Sequence, residues 1–173
     1  LYMVPLSLAI ATSARVSYWR GAGDEMAARS VAIKGFQMTA GMGLLLSITL
    51  LLTKNQIAAL YSTNAQVVAL TSTLLIWVAA YHLPDSIQTF CIFVLRSYRI
   101  TFVPFVVYGL MLWGGGLFGG YLLAYQGLGG FGPIHSPAPF WACSAAALAV
   151  TALIFSALLA RSLKRSKDLQ RSS

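Results

Sequence analysis

Long apolar runs, each closed by a short polar stretch, set the pattern of this chain. Five segments read as membrane spans: Leu1 to Ala14, Phe36 to Thr53, Val67 to Leu95, Phe102 to Tyr125 and Phe140 to Ala160. A helix needs about 20 mostly apolar residues to cross a bilayer, and the third run is long enough to tilt or to reach beyond the hydrocarbon. The first is the shortest. It is apolar from its first residue, LYMVPLSLAIATSA, with no initiator Met and no basic, apolar and cleavage regions of a signal peptide. The expectation is an all-α polytopic membrane protein with five transmembrane helices, beginning inside a longer chain.

Composition agrees. Of 173 residues, 58% are hydrophobic and 9% charged, where a soluble domain carries about 25% charged residues. Mean hydropathy is +0.74. The net charge of +8 raises nucleic-acid binding as a function. The basic residues gather at segment ends rather than on one face, so no nucleic-acid partner is expected, and membrane lipid is.

The same placement orients the chain. Arg15, Arg20, Arg29 and Lys34 lie in the first connection, Arg96 and Arg99 in the third, and Arg161, Lys164, Arg165, Lys167 and Arg171 beyond the last run. Eleven of the twelve Lys and Arg thus share one side, with Lys54 on the other, and the positive-inside rule makes the basic side cytoplasmic. The expected organisation is a transmembrane lobe over residues 1–161 and a basic cytoplasmic tail over 162–173, in a bacterial-type inner (plasma) membrane. Cys91 and Cys143 both fall in apolar runs, where cysteines act as packing residues.

The connections carry turn signals. In RVSYWRGAGDEMAARSVAIKG the glycines at 21 and 23 make a turn. A phosphate-loop reading of GAGD fails for want of a preceding strand and fingerprint spacing, so Asp24 reads as the N-cap of a short amphipathic helix over Asp24–Ile33. QGLGGFGPIHSPAP, between the fourth and fifth runs, reads as a loop with turns.

Asp85 breaks the apolar pattern. It lies in LLIWVAAYHLPDSIQTFCIFVL, residues 74–95, and is the only one of the four acidic residues inside an apolar run. An intramembrane carboxyl is costly unless it is partnered, protonated or facing a wet cavity, and it marks a functional site by default. Residues three and four apart share a helix face, so Tyr81, Asp85 and Gln88 form one stripe, with His82 three residues from the acid. Pro84 lacks a backbone N–H and clashes with the preceding turn, which frees a carbonyl near Ala80. Carboxylate, phenol and freed carbonyl make an oxygen site for a proton or for Na⁺. The alternative is a structural Asp85, hydrogen-bonded to another helix. His82 suits a proton relay and a satisfied interhelical hydrogen bond equally.

Trp77, Trp113 and Trp141 could line a cavity for flat organic cations through stacking or cation–π contact. Gly41 and Gly43, and Gly114 to Gly116 with Gly119 and Gly120, permit close helix packing. No HExxH, Cys/His cluster, Walker loop or nucleophile–base pair occurs in the sequence. The expectation is a protein that is not an enzyme and needs no cofactor beyond a coupling ion.

Two stretches carry a family resemblance. MVPLSLAIATSARVSYWRGAGDEMAARSVAIKG resembles the start of the second lobe in the multidrug and toxic compound extrusion (MATE) family: Pro, Ala and Ser in the helix, then Arg-Val, then a Gly-x-Gly-Asp loop and an Ala-rich stretch. QIAALYSTNAQVVALTSTLLIWVAAYHLPDSIQTFCIFVLRSYRITFVPF is similar to that family's next hallmark, with its Ala-Leu-Tyr entry, Asp-x-x-Gln pair and closing Leu-Arg before Thr and Pro. The resemblance covers essentially the whole chain. It implies a twelve-helix, two-lobe transporter, of which these spans resemble helices eight to twelve, with the first lobe and the seventh helix lying outside the chain.

The resemblance also implies roles. Asp85 matches the family's cation-coupling carboxylate, Tyr81 a tyrosine beside it, and Gln88 follows the motif, while Tyr2 and Asn64 fall near substrate-contacting positions. In NorM-type members an acidic residue on the seventh helix completes the site. The implied activity is efflux of organic cations and drugs against inward H⁺ or Na⁺. Two alternatives stand beside it: a lipid-linked oligosaccharide flippase of the same superfamily, disfavoured by the lack of Arg or Lys within the spans, and a non-transporting membrane assembly subunit whose Asp85 pairs with a partner helix.

Overall fold

The computed structural model of the chain describes residues 1–127 and 132–171, with the side chains of the last helix up to residue 165. Among the described residues the regular elements are all helices: α1 (Met3–Gly21), α2 (Glu25–Tyr61), α3 (Ala65–Ser97), α4 (Phe102–Gln126) and α5 (Ala138–Arg171). Four of these, α2 to α5, are long and apolar enough to cross a membrane. The 19-residue α1 is not among them, because its second half carries Ser13, Arg15, Ser17 and Arg20. The five expected spans therefore become five helices, four of spanning length and apolarity.

The helices outrun the apolar runs. The short amphipathic helix expected over Asp24–Ile33 is instead the opening of the 37-residue α2. No proline interrupts the chain between Glu25 and Tyr61, so the polar first turns continue into the apolar stretch. At about 1.5 Å per residue α2 is roughly 55 Å long, well beyond a hydrocarbon core of about 30 Å. Asp24 is its N-cap as expected, Oδ1 accepting from the Ala27 N–H at 2.8 Å. The preceding Gly23 has φ +79°, the left-handed turn that glycine tolerates without strain.

α4 departs from a plain helix. It is α-helical over Phe102–Gly109, π-helical over Leu110–Phe118, and π-helical again over Leu122–Gln126 after one α turn. π-helix is rare beyond single turns. The π stretch contains Gly114, Gly115 and Gly116, which bring no side chains to stabilise the tighter α ladder. At the far end, the Ile134 and His135 N–H groups donate to the Leu123 and Ala124 carbonyls at 3.3 and 3.0 Å, tying the returning chain to α4. Leu128 to Phe131 of the expected loop lie outside the described residues. α5 passes through the expected boundary at residue 161 without a break; the side chains of Lys167 and Arg171 lie outside the described ones.

α3 is the centre of the bundle, packing on α1, α2 and α5, while α4 packs chiefly on α5. Three glycines set close approaches. A Cβ on Gly35 would lie 2.5 Å from Thr12 Cγ2, one on Gly43 3.0 Å from Ser86 Cβ, and one on Gly120 2.8 Å from the Phe140 Cα. Gly43 and Gly120 thus pack as expected; Gly41 and Gly114 face open space.

The core lies towards the basic end of the bundle. Ala9 and Val16 of α1, Ala28 and Ala32 of α2, Phe90, Cys91, Val94 and Leu95 of α3, and Phe155, Leu159 and Leu163 of α5 build it. Phe36 meets Phe90 edge-on, centroids 5.8 Å apart. Around the core, hydroxyls stitch α1 to α3. Ser13 Oγ donates to the Phe93 carbonyl at 3.0 Å, Ser97 Oγ to the Ser13 carbonyl at 3.1 Å, and Ser17 Oγ to Ser97 Oγ at 3.0 Å. Arg20 donates to the Ser97 carbonyl, pairs with Glu25 at 3.0 Å and lies 4.3 Å over the Tyr98 ring.

Candidate functional site

α3 runs unbroken through Pro84 and carries Asp85 just beyond the core, half-buried. The helical spacing of three that puts Gln88 on the same face also puts it in contact. Gln88 Nε2 donates to Asp85 Oδ1 at 3.1 Å and to Thr89 Oγ1 at 3.2 Å. Gln88 is 4% exposed, and its Oε1 has no hydrogen-bond partner. A buried amide carbonyl left unpaired carries a desolvation cost, so this oxygen is a buried acceptor in want of a donor or cation.

His82 is also buried, and its Nε2 has no partner. It lies within electrostatic reach of Asp85 without a hydrogen bond between them. Its carbonyl accepts from Ser86 Oγ at 2.8 Å. Tyr81 likewise feels the Asp85 charge without bonding to it. Its ring stacks on Trp141 of α5, centroids 6.2 Å apart and planes 13° from parallel. The phenol therefore borders the carboxylate rather than binding it.

The remaining sequence candidates lie apart from this pair. Asn64 caps α3, its Oδ1 accepting from the Gln66 N–H at 2.9 Å. Trp77 sits half-buried one turn above Tyr81. Tyr2, 45% exposed, occupies the first position before α1. A residue that sequence reasoning missed, Tyr108 of α4, lies within electrostatic reach of both Asp85 and Tyr2. Beside Asp85 on α3, Tyr81 stacks on Trp141 of α5, and Tyr108 of α4 lies within electrostatic reach of the carboxylate. No periodicity within α3 could have named Tyr108, or set Trp141, already a candidate cavity aromatic, against Tyr81, since both depend on how other helices pack. Among the described residues no three His, Cys, Asp or Glu side chains gather as a metal site.

The MatE family model matches residues 1–122, which hold α1 to α3 and most of α4. This chain belongs to the MatE family. It is 31% identical over 172 residues to a "Probable multidrug resistance protein NorM" of Aromatoleum aromaticum, covering 98% of this chain and 36% of that protein. A protein of the same name from Chromobacterium violaceum is 34% identical over 170 residues, covering 95% and 35%. One from Shewanella oneidensis is 34% identical over 155 residues, covering 90% and 33%. The MatE chain thus spans about a third of the length of the curated relatives it matches. Its helices make it a multi-pass membrane protein, and its relatives are named for multidrug resistance.

Proposed function

We propose that this MatE chain forms part of a secondary multidrug exporter, in which Asp85 couples efflux of organic cations to inward movement of H⁺ or Na⁺. The observation that carries the reading is the Asp85–Gln88 pair. Asp85 is the one acidic residue inside an apolar run, held by a buried amide whose oxygen is unpaired, with the stacked rings of Tyr81 and Trp141 nearby to suit a flat cation. Either a coupling ion or a cationic drug can neutralise the carboxylate. Two ligands that exclude one another at a shared site are thermodynamically linked, which is what exchange requires.

The positive-inside distribution supports an inner-membrane orientation with the basic ends of α1, α3 and α5 in the cytoplasm. The rest of the transporter, a first lobe and the helix preceding α1, would pack on the side of α3 that bears Asp85 and complete the ion site. The test is ethidium efflux from proteoliposomes carrying the chain with a co-expressed first lobe, driven by an imposed H⁺ or Na⁺ gradient. Gradient-driven efflux lost in Asp85→Asn is expected. Unchanged efflux in that variant would sink the assignment.

A further inference from the structure

Two cavities flank Arg96 at the basic end of the bundle. One, of about 490 Å³, opens between the end of α3 and the start of α4, and Ile92, Pro104, Phe105 and Tyr108 make its wall apolar around the guanidinium. The other, of about 390 Å³, lies between α1 and α3 and is lined by Ser13, Ser17, Ser97 and the same Arg96. Arg96 is exposed, with its guanidinium 5.7 Å from the Phe93 ring centroid. It forms no ion pair among the described residues; the ion pair at this end belongs to Arg20 and Glu25.

A cation set between an apolar chamber and a hydroxyl-lined one matches an amphiphile with a negative head. We propose that this site binds an anionic phospholipid of the adjoining leaflet. The phosphate pairs with Arg96, the polar headgroup meets the serine cluster, and an acyl chain enters the cavity between α3 and α4. Basic pockets between transmembrane helices take such headgroups, and the guanidinium fork matches phosphate oxygens two at a time. The chamber falls within the range of about 300–1,000 Å³ typical of ligand pockets. Thr101, ahead of α4, makes no side-chain cap bond, so the first amides of α4 add to the positive field beside Arg96. Phe102 and Phe105 are three-quarters exposed at its mouth, which suits acyl contact. An organic cation would meet repulsion from Arg96, and free phosphate would leave the apolar chamber unfilled.

The proposal rests on the chain residing in a membrane and not on coupling at Asp85. The full chain in non-ionic detergent would be titrated with dioleoylphosphatidylglycerol or dioleoylphosphatidylcholine, and bound lipid counted by native mass spectrometry. Both lipids bring a phosphate, but Arg96 repels the choline cation of the zwitterionic one, which predicts retention of the anionic lipid roughly tenfold tighter. Arg96→Gln should abolish that preference, with helicity by circular dichroism unchanged. Arg99→Gln, at a position lining neither cavity, should keep it, as should Asp85→Asn, so that failed lipid binding and failed transport are told apart. Glycerol phosphate, a head without a chain, should not displace the lipid. Equal retention of both lipids, an unaffected Arg96→Gln, or displacement by glycerol phosphate overturns the proposal.

Discussion

Gln88 offers its amide nitrogen to Asp85 and keeps its amide oxygen unpaired, so one residue both orients the carboxylate and adds an oxygen beside it. Gln88→Leu removes both without changing the helix. Hydrogen bonds to charged groups are worth about 1.5–3 kcal/mol, so gradient-driven efflux by the assembled transporter should fall roughly tenfold or more, and Gln88→Met should behave alike. At the basic end, burial holds the Tyr98 phenol above its ordinary pKa of 10.0, with Glu25 adding to the effect and Arg20 and Arg29 opposing it. The folded state then favours the neutral phenol. Its contribution is full below pH 10 and is lost as pH rises through the raised folded value. The difference in thermal midpoint between the native chain and Tyr98→Phe should be constant through neutral pH and change only above about pH 10. Of these residues, Asp85 and Gln88 were legible from spacing along one helix, and Asp24 from cap chemistry. Tyr108 was not, and Trp141, named as a cavity aromatic, could not be set against Tyr81 from sequence, because both places depend on the packing of other helices.

For whole helices, glycine placement separates contacts from coincidence. A methyl on Gly120 would meet the Phe140 Cα at 2.8 Å, and backbone cannot swing aside as a side chain can. Gly120→Ala should lower stability by about 1–3 kcal/mol, measured as thermal unfolding in detergent. Gly114→Ala, facing open space, should leave the midpoint nearly unchanged. In sequence these glycines look alike, since an apolar run does not say which of its faces meets a neighbour. Helix existence was legible from the apolar runs, but helix ends were not. Hydropathy registers lipid, whereas α2 continues wherever the backbone can pair, and the polar turns before Ile33 pair as well as the apolar ones after it. The π-helical course of α4 had no signal beyond its run of glycines.

Across the whole molecule, directional bonds between helices are unevenly distributed. Ser7, Thr49, Thr53, Thr73, Thr151 and Ser162 each turn their hydroxyl back onto a carbonyl four residues earlier in their own helix. The bonds from Ser13, Ser17, Ser97 and Arg20 instead cross between α1 and α3, at the end where the core also lies. Amide hydrogen exchange should therefore be slower around residues 90–97 than around the Ser62–Asn64 turn; equal protection at both places would contradict this. The mechanical consequence is a fulcrum. Tilting the helices apart at the opposite end gives up mainly non-directional contacts, whereas parting them at the serine seam breaks several hydrogen bonds together. The bundle should rock about its basic end, with Asp85, just beyond the core, on the side of the pivot that moves.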